Sequence, residues 1–297
     1  MHTDRKCAVF ILLGQSNAVG HGVPMCEADM ILHPMKNVFG LSCEHNQSFD
    51  HTGLIWSGYK SDGMNLAEEQ DHTYSLANCL ANFWQKHIDD GNHYDLPDLY
   101  IIHIAIGAQG VTPGYMWHPD MDPILIPGKL GVVKIALFPF CRHIFSLLDD
   151  SFACMNKEYE IMGIHWRGGE NDVTASNSIL TSDLKDIYTT IFDSFRLLLH
   201  EAPVVFHKIV CPDRMNDLDP SGGYLDNMHF INHVFDDLCD IYENASIFDV
   251  RCAPQYIPDV RGNGLFIDDA VHYTAEVNQW IASKIIMDYT DKHNKQC

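Results

Sequence analysis

Short apolar runs alternate along the chain with longer segments whose apolar residues recur at helical spacing. The runs with strand character lie, in chain order, at residues 8–14, 98–107, 159–169, 202–212 and 245–251. The segments with helical periodicity lie at residues 74–88, 132–148, 182–200, 227–242 and 275–292. Continuous apolar strands that alternate with helices are typical of a parallel sheet covered by helices on both faces. The pattern therefore predicts an α/β fold, doubly wound around a parallel sheet of about five strands.

The length of the chain and its even patterning indicate one domain. At 297 residues the chain is within the range of a single large α/β domain, and it contains no repeat, low-complexity tract or linker. We therefore interpret residues 1–297 as one domain. Residues 23–71 are the exception, because they are rich in Gly, His, Asn, Ser and Met and lack clear periodicity. A connection of this length is either a lid over a binding site or an insertion that covers one edge of the sheet.

The charge balance disfavours two classes of partner. The chain has 19 Lys and Arg against 40 Asp and Glu, a net charge of −21, and it has no basic run. We therefore expect neither nucleic acid nor an anionic membrane as a partner. No stretch reaches the roughly 18 apolar residues of a membrane span, and the apolar stretch near the N-terminus is too short for a secretory signal. The expected location is the cytoplasm.

Polar segments directly follow three of the predicted strands. Ser16 comes after the first strand, Gly-Ala-Gln-Gly (107–110) after the second, and Gly-Gly-Glu-Asn-Asp (168–172) after the third. A fourth polar segment, 268–274, precedes the last helix and contains Asp269 and His272. Ligands bind at the carboxyl ends of the strands in open parallel sheets. We therefore expect these segments to form one site.

The residue types in these segments suit nucleophilic catalysis. A serine hydroxyl becomes a useful nucleophile when a base takes its proton and a third group orients that base. His272 is the candidate base, and Asp269, three residues earlier, is the candidate orienting carboxylate. The backbone amides of Ser16 and Gly107 and the side-chain amide of Asn171 are candidate oxyanion donors. A purely structural interpretation also exists, because serines after strands often cap helices and Asp-x-x-His arises by chance among 18 histidines.

The block Gly14-Gln15-Ser16-Asn17 resembles the first block of the SGNH hydrolases, and within them that of the sialate O-acetylesterase and acetylxylan-esterase-like group. The Asp-x-x-His spacing before the last helix is similar to the last block of that family. The stretch Trp-Arg-Gly-Gly-Glu-Asn-Asp (166–172) resembles the group's third block, Trp-x-Gln-Gly-Glu-x-Asp, with Gly168 in place of the Gln. That Gln ordinarily helps to shape the oxyanion hole, so the departure concerns this part of the site.

The resemblance implies a flavodoxin-like, three-layer α/β/α fold and a metal-independent carbohydrate O-acetylesterase that uses no cofactor. Its substrate would be an acetylated sugar, either sialic acid or a xylan-type oligosaccharide, cleaved by a triad of Ser16, His272 and Asp269. Supporting or substrate-binding roles fall to Gln15, Glu170 and Trp117. We interpret Glu170 and Asp172 as holding their loop through hydrogen bonds. Tyr115, Trp117 and His118, in the loop after the second strand, are candidate sugar contacts, and Trp117 is either a sugar contact or a core residue.

Three other functions stay open on the sequence alone. They are a glycan-binding relative without catalysis, a lipid or aryl esterase of the same superfamily, and a metallohydrolase. The polar loops favour a sugar, whereas a metal site lacks support because the ten cysteines form no Cys-x-x-Cys pair and no His-Glu-x-x-His is present. The net charge of −21 opposes long-range attraction of an anionic sugar. The sequence gives no indication of the oligomeric state.

Overall fold

The computed structural model describes residues 6–46, 53–67, 73–91, 96–128, 131–174, 183–210, 223–258, 264–269 and 271–294. Its strands are β1 Cys7–Gly14, β2 Val38–Leu41, β3 Trp56–Gly58, β4 Leu99–Ala105, β5 Ile124–Gly128, β6 Gly131–Ile135, β7 Tyr159–Arg167, β8 Val204–His207 and β9 Ala245–Phe248. Its α-helices are α1 Ser16–Val19, α2 Cys43–Asn46, α3 Leu76–Asp89, α4 Leu137–Ser146, α5 Leu148–Cys154, α6 Leu184–Leu198, α7 Gly223–Ile241 and α8 Ala275–Asn294.

The main sheet contains seven strands in the order β3-β2-β4-β1-β7-β8-β9. Its neighbouring strands are parallel except for β2 and β3, which are antiparallel. The five predicted strands are β4, β1, β7, β8 and β9, side by side, so the predicted α/β class and parallel sheet are confirmed. The predicted number of strands was too low, because β2 and β3 lie within residues 23–71 and extend the sheet beyond β4.

The central strand β1 is buried along its whole length. Val9 and Leu13 belong to one hydrophobic core, and Phe10 and Leu12 belong to the other. The first core contains side chains of α4, α6 and α7, and the second contains side chains of α3 and α8, which gives the three layers. A strand buried on both faces is apolar throughout, which explains the uninterrupted apolar run. Within the described ranges, no helix combines the length and the apolar composition that a membrane crossing requires.

The segment 132–148, predicted as one helix, is in part a strand. Residues Gly131–Ile135 form β6, which pairs with β5 in an antiparallel hairpin, and α4 begins at Leu137. Pro139 therefore lies in the first turn of α4, where a proline is tolerated because its missing N–H has no intrahelical acceptor. The valines at 132 and 133 favour an extended backbone. The prediction was wrong for residues 132–135, because apolar residues alone do not separate a short strand from the start of a helix.

Candidate active site

Ser16 lies at the carboxyl end of the central strand. β1 ends at Gly14, which has a φ of +144° and approaches β7 so closely that a Cβ would lie 1.9 Å from Arg167 O. Gln15 donates its N–H to that same oxygen at 3.0 Å, and α1 then begins at Ser16. As the first helical residue, Ser16 has a backbone N–H without an acceptor inside its helix. The turn therefore places a hydroxyl and an N–H together at the edge of the sheet.

Asp269 and His272 form the hydrogen-bonded pair that their spacing predicts. His272 Nδ1 lies 2.6 Å from Asp269 Oδ2, and Asp269 Oδ1 accepts the backbone N–H groups of Val271 at 2.8 Å and His272 at 3.0 Å. Burial raises the pKa of Asp269, but the hydrogen bonds from His272 and Val271 outweigh burial and hold this pKa below its ordinary value. The carboxylate is therefore charged at neutral pH. It fixes the orientation of the imidazole and leaves Nε2 as the ring nitrogen that is available for proton transfer.

Asn17 joins two segments of the site. One is the turn after β1 that carries Ser16, called here the serine turn, and the other is the loop that carries Asp269 and His272, called here the histidine loop. Its Oδ1 accepts the N–H of Tyr273 at 3.1 Å, and its Nδ2 donates to Val271 O at 3.4 Å and to Glu170 Oε1 at 2.9 Å. Asn17 therefore bonds to the residues on both sides of His272 and also to the loop after β7. The residue next to Ser16 in the chain thereby sets the position of the candidate base. Sequence reasoning assigned no role to Asn17, although it belongs to the Gly-Gln-Ser-Asn block.

The histidine loop also packs tightly against the turn after α1. Gly22 has a φ of +70°, and a Cβ there would lie 2.7 Å from Ile267 Cδ1, 3.5 Å from Asp269 Oδ2 and 3.7 Å from His272 Nδ1. A glycine is thus required for this approach. The His272 ring hydrogen-bonds to Asp269 and not to Ser16 in this structure. Catalytic hydrogen bonds of this kind often shorten only when substrate binds.

Replacing Asn17 with alanine removes the link between the serine turn and the histidine loop. We expect kcat for an aryl acetate to fall about 100-fold with a much smaller change in KM, because a displaced base slows chemistry more than binding. Steady-state kinetics test this. The matched control is Asn82→Ala, since Asn82 bonds to Asp29 O away from the site. An unchanged kcat in folded Asn17→Ala contradicts the positioning role.

The loops after β1, β4 and β7 meet at the candidate oxyanion donors. Asn171 donates its side-chain amide to Gln15 Oε1 at 2.9 Å and to Gln109 O at 3.3 Å, and its backbone N–H also approaches Gln15 Oε1 at 3.3 Å. Gln15 and Asn171 therefore hold the three loops together. Gly107 lies beside the turn after α1, because a Cβ on it would lie 2.5 Å from His21 Cε1. Gly107 accordingly has no space for a side chain.

Asp172 anchors the loop that carries Gly107. Its fully buried carboxylate accepts the backbone N–H groups of Val111 and Thr112, each at 3.0 Å, and the Thr112 hydroxyl at 2.8 Å. Gly110 allows this, since a Cβ there would lie 2.3 Å from Asp172 Oδ1. Burial raises the pKa of Asp172 to about 6, although the bonds from Thr112 and Val111 lower it. The Asp172 carboxyl therefore keeps its proton to a higher pH in the folded chain than in the unfolded chain. This difference in pKa contributes fully to stability below about pH 4, and the contribution is lost as the pH rises through about 6.

Replacing Asp172 with alanine leaves two buried backbone N–H groups without an acceptor. We expect the free energy of unfolding at pH 7 to fall by about 3 kcal/mol, measured by urea denaturation. Asp120→Ala is the matched control, because Asp120 is exposed on the following loop. A loss in Asp172→Ala no greater than in the control contradicts the anchoring role.

Trp117 is a core residue, which decides between the two interpretations that the sequence left open. Its side chain is fully buried, its Nε1 donates to Gly14 O at 3.0 Å, and its ring packs edge-on against Trp166 with centroids 5.0 Å apart. The indole therefore supports the strand end that precedes Ser16. Trp166 also accounts for Gly168, because a Cβ at 168 would lie 2.9 Å from Cζ2 of the Trp166 ring. The Trp166 ring therefore leaves little room for a side chain at position 168, where the related sequences have Gln and this chain has Gly.

A buried cation lies beneath the histidine loop. The guanidinium of Arg167 donates from Nη1 to Asn278 Oδ1 at 2.9 Å and lies 5.1 Å from the ring centre of Tyr273. Burial lowers the pKa of Arg167, whereas the neighbouring Tyr273 and Glu170 raise it. Arg167 supports the residue after His272 from below. This role was not predictable from the sequence, because Arg167 ends an apolar strand and its partner Asn278 is more than one hundred positions away.

The described part of the chain contains no cluster of side chains suited to binding a metal ion. No group of three or more His, Cys, Asp or Glu side chains there is arranged to hold a metal ion. Contacts through Asn17, His21 and Gly22 connect the predicted site residues Ser16, Gln15, Gly107, Glu170, Asn171, Asp269 and His272.

The fold places the two main sequence motifs at the same sheet. The Gly-Gln-Ser-Asn turn follows the central strand of a three-layer α/β/α fold, and the Asp-x-x-His pair precedes the last helix. The three-layer α/β/α fold that the sequence resemblance implies is therefore confirmed.

Comparison with known proteins gives structural matches only. No family model and no curated protein matches the sequence. The structure is similar to that of a protein from Arabidopsis thaliana, at 15% identity over 96% of this chain and 98% of that chain, with a TM-score of 0.59. It is also similar to NanS, at 14% identity over 99% of this chain and 100% of that chain, with a TM-score of 0.61. Identities at this level show a shared fold.

A weaker match is a family two carbohydrate esterase from Clostridium thermocellum in complex with cellohexaose. It shares 11% identity over 98% of this chain and 66% of that chain, with a TM-score of 0.49.

Proposed function

We propose that this protein is a serine esterase that removes acetyl groups from acetylated carbohydrates. The observation that carries the proposal is the 2.6 Å bond between Asp269 and His272, tied through Asn17 to the turn that holds Ser16. An oriented imidazole beside a serine at the carboxyl end of a central strand is the arrangement that activates a hydroxyl. The resemblance of blocks 14–17 and 166–172 to the acetylesterase group supports the same chemistry.

The proposed reaction has two steps. In the first, Ser16 Oγ attacks the acetyl carbonyl carbon while His272 Nε2 takes the hydroxyl proton, and His272 then gives that proton to the departing sugar oxygen. The ester bond to the sugar breaks and an acetyl-Ser16 ester remains. In the second, His272 takes a proton from water, the hydroxide attacks the acetyl carbon, and acetate leaves as Ser16 regains its proton. Asp269 stabilises the imidazolium in both steps.

The proposed oxyanion hole uses the three predicted donors. The N–H of Ser16 begins α1, and the loop of Gly107 is held in place by Asp172. Asn171 is the third donor, and it reaches the oxyanion by giving up its longer bond, at 3.3 Å, to Gln109 O. A donor of this kind contributes about 3 kcal/mol to the transition state.

The carbohydrate part of the proposal is supported by the polar loops around the site. Tyr115 and His118 lie in the loop after Gly107 and are partly exposed, in contrast to the buried Trp117. With Trp117 in the core, Tyr115 and His118 remain the aromatic candidates for sugar contact, since exposed aromatic faces pack against sugar rings. Both neutral xylan-type sugars and sialic acid are included as substrates to be tested.

The test is acetate release from an aryl acetate, acetylated xylo-oligosaccharides and O-acetylated sialic acid. The proposal expects release from the aryl ester and from at least one sugar, with both activities lost in Ser16→Ala. Cleavage of aryl or lipid esters without any sugar ester points to a lipid or aryl esterase. Glycan binding without any acetate release contradicts catalysis and indicates a glycan-binding protein.

A further inference from the structure

The turn after α1 brings a second imidazole, that of His21, to the candidate active site. The backbone N–H of His21 donates to Ser16 O at 3.1 Å. The centre of its ring lies 5.9 Å from the centre of the His272 ring, with the two planes at 62°. The ring is partly exposed and rests on Gly107, where a Cβ would lie 2.5 Å from Cε1. His21 thus reaches from a candidate oxyanion donor to the candidate base.

This placement puts His21 on the side of the leaving group. His272 has to protonate the departing sugar oxygen, so the sugar lies beside the His272 ring during the reaction. In the proposed mechanism the oxyanion is held by Ser16 N, Gly107 N and Asn171 Nδ2, and a ring that spans Gly107 and His272 borders the space between the carbonyl oxygen and the leaving oxygen. An imidazole offers a hydrogen-bond donor and an acceptor, which matches a sugar hydroxyl.

We propose that His21 binds the free hydroxyl next to the esterified oxygen of the leaving sugar. This inference rests on the proposed acetylesterase function and specifies its substrate class. The preferred substrates are sugars that carry an acetyl group beside an unmodified hydroxyl, rather than fully acetylated sugars. Gly107 contributes to the placement of His21, because only a residue without a side chain leaves room for the His21 ring.

A double cycle of residue and substrate hydroxyl tests this proposal. The kcat/KM values of the native chain and His21→Phe are measured on a monoacetylated methyl glycoside and on the deoxy analogue that lacks the neighbouring hydroxyl. His21→Phe keeps a ring but cannot hydrogen-bond. We expect kcat/KM of the native chain to be about tenfold lower on the deoxy analogue than on the monoacetylated glycoside. For His21→Phe we expect little difference in kcat/KM between the two sugars. His33→Phe, at an exposed position outside the site, is the matched control and keeps the native ratio.

Each other outcome overturns the inference. An equal loss on the deoxy analogue in the native chain and in His21→Phe shows that His21 does not contact that hydroxyl. A higher kcat/KM of His21→Phe than of the native chain on propionyl or butyryl esters shows that His21 borders the acyl group instead. A thermal melt identifies misfolding of His21→Phe, in which case His21→Leu, which also lacks a hydrogen-bonding group, takes its place in the same cycle.

The same assays separate this inference from the proposed function. Ser16-dependent cleavage of an aryl acetate without cleavage of either sugar overturns sugar binding by His21 and leaves the serine chemistry intact. Absence of Ser16-dependent cleavage of every ester overturns both.

Discussion

Ser16→Ala reduces kcat/KM for an aryl acetate by about 10⁴-fold or more. The magnitude follows because loss of a nucleophile leaves only the contribution of oxyanion donors and substrate binding to the rate. Ser16 is only 8% exposed, and deletion of its hydroxyl opens almost no cavity. We therefore expect the free energy of unfolding to change by less than about 1 kcal/mol. The variant separates catalysis from folding for this reason.

The matched control for this experiment is Ser146→Ala. Ser146 is an exposed serine at the end of α4, and its hydroxyl bonds to the carbonyl of His143. Its replacement is expected to leave the rate unchanged. Retention of more than about one tenth of the native kcat/KM by Ser16→Ala contradicts a serine nucleophile at this position.

Asp269→Asn is expected to lower kcat by about 10⁴-fold while the fold is kept. Asparagine has the same shape as aspartate, but its amide group can donate to His272 Nδ1 and stabilise the tautomer that carries its proton on Nε2. A base in that tautomer cannot accept the proton of Ser16. The charge that stabilises the imidazolium is lost as well. Steady-state kinetics on an aryl acetate measure the effect.

The neighbouring Asp268 provides the control for the second variant. It is exposed and directly precedes Asp269, so Asp268→Asn changes the loop charge by the same amount. We expect its kcat to stay within about twofold of the native value. Similar losses in the two variants contradict a specific role for Asp269, because the effect then follows from the charge of the loop.

Much of the fold follows from the periodicity of the sequence, and the exceptions have local causes. The five predicted strands were recognised because each is a mainly apolar run, and they lie next to one another in the sheet. The short strands Val38–Leu41 and Trp56–Gly58 were missed because runs of four and three residues carry too little pattern. The segment 132–148 was assigned entirely to a helix although Pro139 marks a helix start.

The candidate site was predictable where the contacts are local in sequence. The bond between Asp269 and His272 spans three residues and follows directly from their spacing. The roles of Asn17 and Arg167 depend on partners more than one hundred positions away, so no spacing reveals them. Trp117 was open to two interpretations, because an indole in a polar loop has no sequence signature that tells a core contact with Gly14 from a sugar contact.

Labelling with a fluorophosphonate, which reacts with activated serines, tests the central claim most directly. The native chain is incubated with the reagent, and the modified peptide is identified by mass spectrometry while residual aryl acetate hydrolysis is followed. The account predicts a single label on Ser16, with activity falling in proportion to its occupancy and no label in Ser16→Ala. Full activity in a chain that is completely labelled, or loss of activity through a label on another residue, contradicts it.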